Sequence, residues 1–282
     1  AFAASLPATD EVILADDLDI VFDHFQLPPA AVVEAEPAPV PGELALPAAD
    51  PAPLPDVRRS YGIKTFFRQT GKVGWELAGL TAAITATRFK DVTSGGSKFH
   101  VKDEGWFGKN TKSLGMDKMH HAWKTYVFTD VLQSIIANRT GDRRGAATTS
   151  AILGLGVMTY AELMDGFTKR TGFSNEDMAV HAFGAGLSLL RNTTPGLRDK
   201  IDFRMEIQPE GFTKDLSLVD QLNDRKYLVA LQLSGFKKLE RSPFRFVELH
   251  AGYYARGFTD SARARGETLE RHPYVGIGFN VQ

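Results

Sequence analysis

The chain has no cysteine among its 282 residues. That excludes disulfides, thiolate metal sites and a lipid anchor on an N-terminal cysteine of this sequence. It is compatible with an oxidising compartment without requiring one. Nor is there a large net charge: 33 Lys and Arg stand against 34 Asp and Glu, which argues against a protein that mainly coats nucleic acid or anionic lipid. Positive charge is absent ahead of Arg58, while Asp10, Glu11, Asp16, Asp17, Asp19 and Asp23 crowd the start, so residues 1–56 are acidic and the remainder is net basic. A long apolar run is missing too. Gly145–Ala161 is free of charge but is rich in Thr, Ser and Gly and sits at the short limit of a ~20-residue span. The segment before it carries His120, His121, Lys124 and Asp130, which suits no lipid-facing helix. There is no Gly-x-Ser-x-Gly elbow, and Thr93-Ser94-Gly95-Gly96-Ser97 lacks the Gly-Lys-Ser/Thr ending of a phosphate loop and reads as a flexible loop.

Proline is plentiful in one place. Residues 28–55 hold Pro28, Pro29, Pro37, Pro39, Pro41, Pro47, Pro51, Pro53 and Pro55 among alanines, which predicts an extended, semi-rigid linker without regular structure. Ahead of it, Leu14, Leu18, Phe22 and Phe25 lie among acids in a segment too apolar for a linker and too short to fold alone. These four residues are candidates for docking on a partner; a loose tail is the competing expectation. The opening Ala1-Phe2-Ala3-Ala4-Ser5 has the small residues found around a signal-peptidase cut, so a removed export signal is expected, unless the start is arbitrary.

From about Val57 the pattern is helical. Helices are predicted over Trp75–Phe89, Asp117–Asn138, Ala146–Phe167 and, from a Ser174 N-cap with an acid three residues on, to about Arg191. Glu104-Gly-Trp-Phe-Gly reads as a turn whose Trp106 plugs the core. After Gln208 apolar residues alternate, predicting strands over Tyr227–Leu233, Phe244–Ala255 and Tyr274–Val281. The expected fold is α+β: a four-helix-type bundle over residues 57–207, then an antiparallel β-meander over 208–282 packed on it, behind an acidic Pro/Ala-rich arm over 1–56.

Ionisable residues recur at helical spacing on three consecutive helices. They are Asp117, Lys118 and His121; Glu162 and Asp165; Asp177 and His181. Such groups are costly among apolar residues unless they meet. Short connections force the three helices antiparallel, which brings these residues to one end of the bundle, largely out of solvent. Gly184 shares the face of Asp177 and His181 and allows another helix close approach. Three chemistries compete. The cluster is a register-fixing salt-bridge network; or His121, Glu162, Asp165, Asp177 and His181 hold a divalent transition metal with N/O ligands; or His121, oriented by Asp117, is a general base for hydrolysis of a phospholipid or glycan.

The ordered motifs Glu104-Gly-Trp-Phe-Gly, Gly115-Met-Asp117-Lys118-x-x-His121, Tyr126, Glu162-x-x-Asp165-Gly-Phe and Phe173-Ser174-x-x-Asp177 resemble an uncharacterised bacterial family of predicted periplasmic lipoproteins typified by YfiM. The resemblance continues through Tyr227, Leu249-His250-x-Gly252-Tyr-Tyr254 and Tyr274-Val-Gly276-Ile-Gly278-x-Asn280, over roughly residues 60–282. The helical half is also similar, more weakly, to VanZ-like membrane proteins. Two departures stand out: His181 replaces the family's usual asparagine, and the anchoring cysteine is absent, so the implied lipid anchor is not carried over to these residues. The resemblance implies a place in the periplasm or at the outer membrane and no established activity. The leading expectation is therefore a non-enzymatic envelope protein that is an accessory or structural part of a membrane assembly. Its partners would be a membrane-associated protein, such as an outer-membrane complex, or the membrane surface, with no nucleic acid and no cofactor. The alternative is a metal-dependent hydrolase acting on an envelope lipid or glycan.

Overall fold

The computed structural model describes residues 61–108, 111–169, 171–207 and 222–280. The acidic arm, its docking candidates Leu14, Leu18, Phe22 and Phe25, and the Pro/Ala linker lie outside the described residues. Helices α1 (Ile63–Thr70), α2 (Gly74–Gly95), α3 (Met116–Thr140), α4 (Arg143–Asp165) and α5 (Asn175–Thr193) come first. Strands β1 (Ile201–Ile207), β2 (Arg225–Gln232), β3 (Val247–Arg256) and β4 (Glu270–Phe279) follow, with a short helix α6 (Asp260–Ala264) between the last two. The strands form one antiparallel sheet in the order β1-β2-β3-β4. The α+β plan with helices first and a meander last is thus the observed fold. None of the described helices is long and apolar enough to cross a membrane.

Local signals set the helix ends. Ser174 caps α5 by accepting from the Asp177 amide at 3.1 Å. Gly115 and Gly141 flank α3 with φ of 85° and 71°, conformations that suit glycine. Asp142 caps α4 through the Gly145 amide at 2.9 Å and takes a bond from Gln69 of α1. α2 runs through Thr93 to Gly95, so the expected glycine loop is in part the last turn of a helix.

α3 is the centre of the bundle. A Cβ at Gly184 of α5 would overlap the Ala122 carbonyl oxygen, and one at Gly154 of α4 would overlap the Thr129 hydroxyl. Glycine at these two places lets α5 and α4 lie against α3 at backbone distance. The sheet meets α3 through Phe203, Tyr227 and Ala255, which share a buried core with Leu114, Met116, Ala122 and Tyr126. β1 was not expected: the sheet starts ahead of Gln208. Trp106 does not plug the core, being 48% exposed. Its neighbour Phe107 takes that role, edge-on to Tyr253 at 5.3 Å.

The two faces of the sheet differ. One carries Arg204, Glu248, Tyr254 and His272, with Arg204 bonded to Glu248 at 2.8 and 3.2 Å and Tyr254 stacked on His272. The other is apolar from edge to edge. Register lines up Phe203, Val229, Ala251 and Val275, then Ile201, Leu231, Leu249 and Ile277. Phe203 and Tyr227 on this face are buried, whereas Val275, Ile277 and Phe279 on β4 are 86%, 70% and 80% exposed.

Candidate functional site

Lys118 sits in the first turn of α3 with its side chain 1% exposed. A cation at a helix N-terminus opposes the helix dipole, and burial adds a desolvation cost. Three carboxylates offset both. The Nζ atom lies 2.9 Å from Asp177 Oδ1, 2.8 Å from Glu104 Oε2 and 3.1 Å from Asp117 Oδ2. Burial pulls the ammonium towards the neutral form, yet Asp117 and Asp177 outweigh it and hold the Lys118 pKa above the usual lysine range. Asp177 is nearly buried, while Asp117 and Glu104 are about a quarter exposed, at 26% and 23%. Glu104 arrives on a strap between α2 and α3. The strap is laid over the α4–α5 connection by backbone bonds from His100 to Gly166 and from Lys102 to Phe173, both 2.9 Å.

Deeper in the same end lies a second group. His181 of α5 points Nε2 at Glu162 Oε1 of α4, 3.4 Å away, with side chains 1% and 5% exposed. The His121 ring of α3 stands edge-on to His181, with centroids 5.0 Å apart at 80°. One ligand atom from each of His121, Glu162 and His181 lies within 4.8 Å of the others. The Thr125 hydroxyl donates to the His121 carbonyl at 2.8 Å and meets His181 Nδ1 at 2.6 Å. The hydroxyl has one proton for these two neighbours. With that proton on the carbonyl, His181 Nδ1 donates to Thr125 and the Nε2 lone pair faces Glu162. Burial, with Asp177 and Asp165 nearby, raises the Glu162 carboxyl to about 8. Burial, reinforced by His121 and Lys124, holds His181 well below the usual imidazole value. The metal-free group is thus a neutral acid beside a neutral imidazole at pH 7.

The structure brings Asp117, Lys118, His121, Glu162, Asp177 and His181 to one end of the bundle but sorts them into two groups. Asp165 joins neither. It pairs with Arg88 of α2 through bonds of 2.5 and 3.3 Å. The carboxylate of Asp117 is turned to Lys118, the interaction that answers what Asp117 does. Arg88 and Thr125 went unnoticed in the sequence, and Glu104 was read only as part of a turn motif, not as a partner of Lys118. Glu104 and Arg88 lie in a strap and a helix whose placement no periodicity fixes, and a threonine one turn after a histidine carries no signal of its own. His120, adjacent to His121, faces the opposite way and bonds Tyr227 of the sheet at 2.8 Å.

Comparison with known proteins returns one family. Neither the curated proteins nor the solved structures give a match. A family model described as predicted periplasmic lipoprotein matches residues 103–193, the segment from the strap to the end of α5. It lends no support to the VanZ-like resemblance. The description places the protein in the cell envelope, in the periplasm or at the outer membrane. Residues 103–193, and with them both polar groups, match the model of the predicted periplasmic lipoprotein family DUF2279.

Proposed function

We propose that this protein is an accessory component of a cell-envelope assembly and docks on a membrane-associated protein through the β4 edge of its sheet. The observation that carries this is the stripe Val275, Ile277 and Phe279, each at least 70% exposed. The stripe extends through Ile277 opposite Leu249, itself 42% exposed, to Ala251 opposite Val275. Contiguous apolar surface of this kind marks a place that is covered in the working protein. An edge strand also presents unpaired backbone N–H and C=O groups. Hydrocarbon cannot satisfy them, whereas a strand from another protein satisfies them and covers the stripe at once.

The test is a photo-cross-linker placed at Ile277 in the native envelope, with one at the fully exposed Asp260 as the comparison. The expected result is a discrete protein adduct from Ile277 alone, and loss of co-fractionation with membranes in Ile277→Lys. Binding to protein-free lipid vesicles that survives Ile277→Lys, with no adduct, overturns the docking assignment. An adduct between two copies of the chain overturns the identity of the partner.

A further inference from the structure

Two groups of side chains at the end of the bundle have converging ligand atoms: Glu104, Asp117 and Asp177, and His121, Glu162 and His181. The first already encloses a cation, since the Lys118 ammonium lies within 3.1 Å of all three carboxylates. The second brings together two imidazoles and a carboxylate, the N/O donor set that zinc and its neighbours accept.

We propose that His121, Glu162 and His181 form a binding site for one divalent transition-metal ion of the zinc class. Three features of the geometry carry this, and none of them depends on the docking edge. The first is the separation of His181 Nε2 from Glu162 Oε1, 3.4 Å. That is long for a hydrogen bond between a carboxyl group and an imidazole, which runs up to about 3.2 Å. It matches the edge of a tetrahedron of ligands placed about 2.0–2.1 Å from a central zinc, about 3.3–3.4 Å.

The second feature is orientation. Thr125 Oγ1 holds His181 through Nδ1 at 2.6 Å, so Nε2 is the ring nitrogen turned towards Glu162. Holding a histidine through its other nitrogen is what outer residues of metal sites do. The third is setting. His121, Glu162 and His181 come from three different helices, so no single local pattern places them; the close α3–α5 approach at Gly184 does. Three protein ligands leave a fourth tetrahedral position for water. Asp177, bound to Lys118, and Asp165, bound to Arg88, are not among the ligands.

The test uses the full chain stripped with chelator and titrated with Co(II), followed by displacement with Zn(II). One equivalent of Co(II) is expected to give the strong visible bands of four-coordinate cobalt. Zn(II) should bleach them, and the melting temperature should rise with Zn(II). Glu162→Gln keeps the volume and neutrality of the side chain, so it is expected to stay folded and to lose the four-coordinate spectrum and the melting shift. His121→Ala, with its less buried ring, serves as the second variant. Cobalt that keeps the weak spectrum of its hexaaqua ion with no melting shift overturns the site. So does wild-type stoichiometry in both folded variants, which would put the metal elsewhere on the chain.

Discussion

The strand β4 and the helix end around Lys118 invert the usual distribution of residues in opposite ways. At the helix end an ammonium is 1% exposed, and the carboxylates that answer it come from three segments of the chain. At β4, three large apolar side chains stand in solvent on a face that is buried everywhere the helices reach it. Buried charge is tolerated only when each member finds its partner, so the helix end is brittle: removing one member strands the others. Exposed apolar surface costs the folded chain little, so the strand is free to change without unfolding anything. The comparison teaches where this protein is built for stability and where it is built for contact.

Breaking the brittle side is expected to give the largest effect. Lys118→Met keeps the volume but leaves Glu104, Asp117 and Asp177 facing one another, and should cost about 3–5 kcal/mol in urea unfolding. Asp117→Asn should cost about 1 kcal/mol, since that side chain is a quarter exposed and Lys118 keeps two other carboxylates. Asp260→Ala, in full solvent, should leave the melting temperature unchanged.

A pH dependence of comparable size comes next. In chelator, the folded chain holds a proton on Glu162 up to about 8, whereas the unfolded carboxyl loses it near 4.5. The folded state therefore binds more protons between those values, and stability falls as pH rises through that window. The loss is absent below it and complete above it, on the order of 5 kcal/mol. Glu162→Gln has no such proton, so the difference between the two proteins, measured by urea unfolding from pH 4.5 to 8.5, isolates the slope. A flat difference would place Glu162 in contact with water.

Gly184→Ala comes third. Its methyl group meets the Ala122 carbonyl oxygen and forces α5 off α3, for roughly 1–3 kcal/mol. Because His121 and His181 face each other across that contact, the variant should also weaken Co(II) binding. The smallest effect on stability belongs to the strand: Ile277→Lys should shift unfolding by no more than about 0.5 kcal/mol, while its partner adduct disappears. A large destabilisation there would mean that the stripe is part of the core after all.

Much of this was legible in the sequence, and particular residues show why the rest was not. Ser174 with Asp177 marks a helix start whatever the surroundings, and the structure puts the cap there. Short connections between α3, α4 and α5 left only an antiparallel arrangement, which is enough to send the polar residues to one end. What spacing could not decide was pairing. Asp165 is three residues from Glu162, yet α2 delivers Arg88 to it, and the long strap between α2 and α3 leaves the position of α2 open to tertiary packing. The same strap hides Glu104. β1 did carry a signal, since Ile201, Phe203, Met205 and Ile207 alternate with charged residues; it was missed because the alternation begins directly after a helical region. In Trp106-Phe107 both rings suit a core, and only the neighbouring Gly115, whose missing side chain makes room for Phe107, decides which one enters.

The strap has a consequence for how the molecule opens. Through Lys118 it is tied to the starts of two helices by partners 14 and 59 residues apart in sequence. None of the three segments can swing out alone without leaving charge uncompensated in a dry place. Strap, α3 start and α5 start should therefore exchange their amide hydrogens as one cooperative unit, with a common opening free energy. The first turn of α1, which carries 67%-exposed Ile63, should exchange far sooner.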